Sequence, residues 1–296
     1  MINLVSLVCN RDLRQLFIQM ESIKKFVEPC KHYIIVNELL TDNQKNRWTK
    51  LLSNVYKEHE LVIWFPEDIN KLSHIYVDHG KSSYWGGFKY QFLVSKFLDD
   101  DYVVLNSKNF FIKPINLESW RNKIGSNKSI EFNESRGPWW SASLEFAKFF
   151  NKPPLRYVFN CETPQVVKIS ALREKLGDLS EYNTFWNKLV TDCYEKNLYP
   201  GDWHFYSYIH YDEIESKKQG LGDMSHFENL WPIGPDYKLE VKAILDSLDN
   251  SHKCAVVGIH RNFLSNLRAD DLILLNQWLK NKGITYKLKA PSKHYK

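Results

Sequence analysis

The sequence predicts an α/β protein in which a mostly parallel, twisted sheet carries helices on both faces and an irregular α+β half follows. Two observations carry this. Up to about residue 105, short apolar and β-branched runs alternate with segments whose apolar residues recur at helical spacing. Strands separated by helices need crossover connections, which lay parallel strands side by side and cover both faces of their sheet. Beyond that point Pro138, Pro153-Pro154, Pro164, Pro200-Gly201, Pro232 and Gly234-Pro235 cut the chain into short units.

Taken in order, Asn3 to Cys9 is an apolar strand of the fully buried kind. Asp12 to Phe26 places Leu13, Leu16, Phe17, Met20 and Ile23 on one helical face. His32 to Val36 is a second strand, rich in β-branched residues. A polar helix follows at about Asp42 to Tyr56, a third strand at Glu60 to Phe65, an amphipathic helix from about Tyr84 to Leu98, and a fourth strand at Tyr102 to Leu105. In the second half helices are predicted at Ala142 to Phe150, Ser170 to Leu176, Glu181 to Lys196 and Ala269 to Lys282. With no internal repeat and no clear linker, residues 1–296 read as a single domain whose halves divide near residue 116.

Composition narrows the function classes. Of 296 residues 43% are hydrophobic and 25% charged, which is a folded chain rather than a disordered one. At this length roughly 75% of the unfolded surface is buried on folding, so neither disulfides nor a structural metal is needed for a core. The longest apolar runs, such as Leu4 to Cys9 and Leu272 to Leu275, fall far short of the ~20 residues that span a bilayer, so no membrane span is expected. The N-terminus enters a strand-like run with no basic region before it, and the expected location is cytoplasmic. The formal charge of +5 is spread along the chain. That supports a phosphorylated ligand no better than it supports none, and the sequence has no basic stripe of the kind expected for nucleic acid; the nearest candidate, the short stretch Lys282 to Lys296, could equally be solvated. Cysteines 9, 30, 161, 193 and 254 form no Cys-x-x-Cys pair and are expected to be reduced and mostly buried, without zinc. The 17 Phe, 16 Tyr and 10 Trp suit stacking on sugars or bases, although most must be core.

A parallel sheet of this kind binds ligands beyond the carboxyl ends of its strands. The expected rim is therefore Asn10 to Asp12, Asn37 and Glu38, Pro66 to Asp68, and Asn106 to Asn109. Asn37 or Glu38 is expected near a base or ribose. No Gly-x-Gly-x-x-Gly, P-loop or Gly-x-Ser-x-Gly is present, so dehydrogenase, NTPase and hydrolase readings lose their support. His74, Asp78 and His79 have loose metal-ligand spacing but enclose an apolar Ile-Tyr-Val and are discounted.

The most informative stretch is Trp85-Gly-Gly-Phe-Lys-Tyr-Gln-Phe-Leu-Val-Ser-Lys96, followed from Asp99 by Asp-Asp-Asp-Tyr-Val-Val-Leu-Asn-Ser-Lys-Asn-Phe-Phe-Ile-Lys-Pro114. It resembles the segment of GT-A type glycosyltransferases, a Rossmann-like fold, in which a helix bearing Gln and Lys leads into the strand that ends in Asp-x-Asp. The similarity is nearest to uncharacterised bacterial and phage glycosyltransferase-like proteins. It extends to Asn10-Arg11-Asp12, Thr163-Pro164, Ser180-Glu181-Tyr182 and His260-Arg261, from about residue 2 to about 265.

The resemblance implies a nucleotide-diphosphate sugar lying across the first four strands, contacted by Asn10, Arg11, Asp12, Asn37, Glu38, Gln91, Lys96, Asn106 and Arg261. Residues 1–116 would hold this donor and 117–296 a saccharide or other hydroxyl acceptor. Glycosyl transfer is the implied activity, and a catalytically lapsed protein that binds a nucleotide or glycan is the alternative. One departure stands out: Asn106-Ser107-Lys108 occupies the place of Asp-x-Asp, so both metal-binding carboxylates are missing. A manganese or magnesium ion is accordingly not expected to be required, and Lys108 is expected to substitute its ammonium, helped by Lys96, His260 and Arg261. Asp99-Asp100-Asp101 precedes the strand and stands at its wrong end. Glu181, behind a Ser180 that can cap a helix, is the expected general base or acceptor anchor; the alternative is that it only complements the helix N-terminus. Asp202-Trp203-His204 and His210-Tyr211-Asp212 either grip an acceptor or pack as core.

Overall fold

A computed structural model describes residues 2–73, 94–121, 129–159, 164–177, 189, 192–193, 195–198, 201–217, 227–230 and 240–289. Its central sheet contains β1 (Asn3–Val8), β2 (Lys31–Val36), β3 (Glu60–Trp64) and β4 (Tyr102–Asn106), mutually parallel in the order β3-β2-β1-β4. β5 (Asn109–Phe111) leaves this sheet at once. β6 (Ser129–Glu131) pairs with β7 (Tyr157–Phe159) in a two-stranded ribbon. β8 (Gln165–Val167) closes the central sheet antiparallel to β4. β9 (Phe227–Leu230) and β10 (Val256–Ile259) form a second sheet with β5, in the order β5-β10-β9, that the sequence reading did not anticipate.

The near-continuous apolar runs follow from burial on two sides. Val5, Tyr33, Ile35 and Val104 face one core, while Leu4, Ile34, Val36, Val103 and Leu105 face the other. Each such side chain, fully buried, stabilises the fold by roughly 1.5–3 kcal/mol. Over these faces lie α1 (Leu13–Phe26), α2 (Asp42–Ser53) and α3 (Pro66–Ser73). α2 begins where the Gln44 N–H donates to the Thr41 hydroxyl and the Thr41 N–H donates back to the Gln44 side chain, a capping box.

In the second half the helices are α4 (Pro138–Phe149), α5 (Ile169–Leu176), α6 (Asp202–Ile209), α7 (Tyr211–Lys217), α8 (Val241–Asn250), α9 (Arg261–Asn266) and α10 (Ala269–Asn281). α4 starts four residues before its predicted start, because Pro138 suits a first helical turn and Gly137 supplies the positive φ of 54° that precedes it. A third core joins Phe110 and Ile112 to Val257, Ile259, Leu264, Leu275 and Leu279.

Most of the predicted helix at Tyr84 to Leu98 lies outside the described residues, and its last part, Val94–Lys96, is a 3-10 turn. The predicted helix at Glu181 to Lys196 also lies largely outside them. No disulfide joins the described cysteines, and Cys30, Cys193 and Cys254 are buried. Among the described residues no helix is long and apolar enough to cross a membrane.

Candidate functional site at the carboxyl edge of the parallel sheet

The strand order reverses at β1, whose neighbours are β2 and β4, and the rim is built where these three end. The Asn37 N–H donates to the Val8 carbonyl at 2.7 Å, pinning the exit of β2 to that of β1. Residues Asn10–Asp12 form a 3-10 turn that runs directly into α1, closed by the Asp12 N–H on the Cys9 carbonyl (2.8 Å) and by the Cys9 thiol donating to Asp12 Oδ2 (2.8 Å). The Asn10 N–H donates to Glu38 Oε2 at 2.9 Å, and Trp48 Nε1 donates to Asn10 Oδ1 at 3.3 Å. Asn10, Asn37 and Glu38 are thus gathered on one edge; Asn37 is buried and Asn10 exposed.

β4 ends in register with β1, Asn106 lying opposite Leu7. The Asn106 N–H donates to Asn109 Oδ1 at 2.8 Å across the Ser107-Lys108 turn. β5 then pairs with β10, Asn109 opposite Gly258, and the Ile259 N–H donates to the Lys108 carbonyl at 2.9 Å. The Lys108 backbone is therefore bound to the residue just before His260, which lies 152 positions away in the chain, and both Lys108 and His260 are half-buried. Pro66 opens α3 at the end of β3 rather than a loop, with the Phe65 N–H donating to Asp68 Oδ2 at 2.9 Å.

Beneath the turn, Gln19 Nε2 donates to the Asn106 carbonyl (2.6 Å) and the Asn109 carbonyl (3.0 Å), and the Ser6 hydroxyl donates to Gln19 Oε1 (2.7 Å). Ser6 also meets His32 Nε2 at 2.8 Å, and His32 Nδ1 meets the Tyr56 hydroxyl at 2.7 Å. Complete burial lowers the His32 pKa to about 3, with nearby His59 adding to the effect, so the imidazole is neutral. Sequence reasoning missed Gln19 and Ser22. The available signal was two polar residues inside an otherwise apolar inward helical face.

Other expected residues stand elsewhere. The backbone of Lys96 lies on the amino side of β4, where Arg173 Nη2 donates to the carbonyls of Ser95 (3.0 Å) and Leu98 (2.9 Å), because a segment leading into a parallel strand arrives at its amino end. Asp100 and Asp101 stand at that same end, paired with Arg121 and Lys168. Arg11 sits in the rim turn and Arg261 opens α9 after β10; their side chains are not among those described. Gln91, Glu181, Thr163 and the trio His74, Asp78 and His79 lie outside the described residues. Among the described residues no group of three His, Cys, Asp or Glu is placed to hold a metal ion.

His204 packs as core. It accepts the Gly201 N–H at Nδ1 (2.8 Å), meets the Trp139 carbonyl through Nε2 (3.0 Å) and stacks on Phe146, with centroids 5.5 Å apart. Burial lowers its pKa to about 3. His210 is buried with Nδ1 2.9 Å from Glu213 Oε2.

No family model matches this chain, and no curated protein matches it. Solved structures do. The galactosyltransferase LgtC in complex with donor and acceptor sugar analogues superposes with a TM-score of 0.51 at 10% identity, covering 99% of this chain and 98% of that one. The apo form of mouse xyloside xylosyltransferase 1 superposes with a TM-score of 0.50 at 12% identity, covering 87% and 97%. At such identities the likeness is one of architecture, and the mixed α/β chain with its mostly parallel central sheet has a GT-A-like fold.

Proposed function

We propose that this protein transfers a glycosyl unit from a nucleotide-diphosphate sugar to a saccharide or other hydroxyl acceptor, without a conventional metal site. The observation that supports this most is the gathering of Asn10, Asn37, Glu38, Asn106, Lys108 and the backbone of His260 at one carboxyl edge, where the strand order reverses. That is where an open α/β sheet takes its ligand.

A divalent cation does not fit the donor set. A hard cation wants several anionic oxygens, whereas Asn106 offers one neutral carbonyl and Lys108 an ammonium that repels it. In this reading Lys108 and His260, joined by Arg261, stabilise the diphosphate as the sugar-phosphate C–O bond breaks and negative charge grows on the departing nucleotide. Asn10, Arg11 and Asp12 hold the nucleotide, Asn37 or Glu38 meets its base or ribose, and Gln91 belongs to the donor side. Glu181 takes the proton of the acceptor hydroxyl as its oxygen bonds to the sugar carbon. Residues 1–116 form the donor half and 117–296 the acceptor half.

The same neutral and cationic donor set favours a second reading, a protein that keeps the fold and binds nucleotide or glycan without turnover. Thermal unfolding in the presence of UDP, GDP, ADP or CDP, each with manganese or with chelator, is the first test. A ligand at 100 times its dissociation constant adds about 2.7 kcal/mol. Stabilisation by one diphosphate that survives chelation, together with consumption of the matching nucleotide sugar, supports transfer. Binding without consumption selects the second reading, and a tightly held manganese ion at Asn106 overturns the replacement of metal by lysine.

A further inference from the structure

Under the Ser107-Lys108 turn runs a connected set of buried polar side chains where an apolar core would pack as well. Gln19, Ser6 and His32 are fully inaccessible, and Tyr56 is buried. The geometry gives the chain one direction. The Ser6 proton goes to Gln19 Oε1, so Ser6 accepts from His32 Nε2, which leaves His32 Nδ1 to accept the Tyr56 hydroxyl. At its far end the Gln19 amide reaches both carbonyls that bracket the turn, Asn106 and Asn109. One turn along α1, the Ser22 hydroxyl donates to the Gln19 carbonyl (2.6 Å) and accepts the Phe111 N–H (3.0 Å), so two successive inward positions of one helix grip the β4–β5 connection. On its other side the turn is held by the Ile259 N–H. A satisfied buried network of this kind is costly to break and rigidifies what it holds.

We infer that Gln19 is a positioning residue of the candidate site: by holding Asn106 and Asn109 on one amide it sets where Lys108 stands relative to His260, while Ser6, His32 and Tyr56 set Gln19. What Lys108 then binds rests on the reading under Proposed function; the placement of the turn does not.

The test uses the full chain with Gln19→Met, which keeps bulk and removes both donors. Leu172→Ala, in the core that Val5 and Val104 face and away from the turn, serves as a control for general destabilisation. Two amides report on the turn: Asn106, which donates to Asn109 Oδ1, and Ile259, which donates to the Lys108 carbonyl. Hydrogen exchange at both is expected to rise at least tenfold in Gln19→Met and to stay near the wild-type rate in Leu172→Ala under conditions where each variant is folded. Titration with whichever of UDP, GDP, ADP or CDP binds wild type best should show affinity at least tenfold weaker in Gln19→Met. In a Lys108→Met background the same change should cost less than twofold, because Gln19 acts through the turn that carries Lys108. Should Gln19→Met fail to fold, Ser6→Ala, which loosens Gln19 without unpairing the two carbonyls, gives the same pattern at about threefold. Unchanged exchange at Asn106 and Ile259, equal change in the control, or full additivity with Lys108→Met overturns the inference. If wild type binds none of the four diphosphates, the functional reading falls and the exchange comparison alone decides whether Gln19 positions the turn.

Discussion

The two ends of β4 lie only about 17 Å apart, five residues of strand, yet they are held by opposite means. At the amino end the chain concentrates charge. Arg121 Nη2 donates to Asp100 Oδ2 at 3.0 Å and Arg121 also pairs with Glu118; Asp101 accepts the Ile169 N–H at 3.0 Å and meets Lys168 Nζ at 3.2 Å. The Arg121 guanidinium holds the Asp100 carboxyl well below the usual carboxylate range. At the carboxyl end the supports are neutral and buried, Gln19, Ser6, His32 and Tyr56, and the turn above them carries a cation, Lys108. The three consecutive aspartates, which look most like chemistry in the sequence, include two that staple α5 and residue 121 to the strand. The plain Asn-Ser-Lys is the part that meets the rim. The reason is direction: a parallel strand delivers its ligand-facing end at its carboxyl terminus, and carboxylates placed before it find only structural partners.

Acid separates the two ends most strongly. His32 and His204 are neutral in the folded chain, their pKa values lowered by burial to about 3, against about 6.5 when unfolded. The unfolded chain therefore binds more protons below pH 6.5, and stability that is complete above that value is lost as pH falls toward 3. Between pH 6 and pH 4 the loss is on the order of 2 kcal/mol for each histidine. The Asp100 contribution goes the same way only at lower pH, once the ordinary carboxylate range is passed. Thermal unfolding followed across this range should show the slope, and His32→Gln should remove close to half of it; a flat profile from pH 6 to pH 4 would contradict neutral buried histidines.

Next in size is Asp101→Ala, which strips a partner from the Ile169 N–H and from Lys168 and should cost about 3 kcal/mol in denaturant unfolding. Its nucleoside-diphosphate affinity should stay within twofold of wild type, since the amino end faces away from the rim. A large loss of affinity with no loss of stability would reverse the comparison. Lys108→Ala should give the mirror image: stability within about 0.5 kcal/mol, and diphosphate affinity down about tenfold, or about 1.4 kcal/mol, by calorimetry. The smallest effect is that of salt. Raising sodium chloride to ~1 M screens the exposed part of the Arg121 and Lys168 pairs and should cost under about 1 kcal/mol, less still in Asp101→Ala, while exchange at the Ile259 amide stays unchanged.

Several elements were legible because their cause is local. The strands β1, β2, β3 and β4 were found within one residue at either end, since side chains buried on both faces leave an unbroken apolar run. The start of α2 was found at Asp42, where the structure has it, and the Thr41–Gln44 bonds that fix this start need only four residues of chain. The rim residues Asn10, Asn37 and Asn106 followed from the strand ends by topology alone. Gln19 did not, because a glutamine on a helix is usually solvated and nothing nearby in sequence says that its partners are carbonyls 87 and 90 residues away. Lys96 was misplaced for a related reason: its distance along the chain from Lys108 is short, while β4 carries the two to opposite ends.

What the sequence by itself determined is the alternation of strand and helix, hence a parallel sheet with a carboxyl edge, and the presence of Asn106 and Lys108, neither of them a carboxylate, where its fourth strand ends. Periodicity and residue chemistry are properties of a few neighbouring positions, so they survive without a fold. Only the tertiary structure decided that β5 turns out of the central sheet to pair with β10, that the Lys108 carbonyl thereby takes the N–H of the residue before His260, and that Gln19 holds the carbonyls on either side of that turn. Those are contacts between segments scores of residues apart, selected by which buried surfaces and which unsatisfied backbone carbonyls match once the chain has closed on itself.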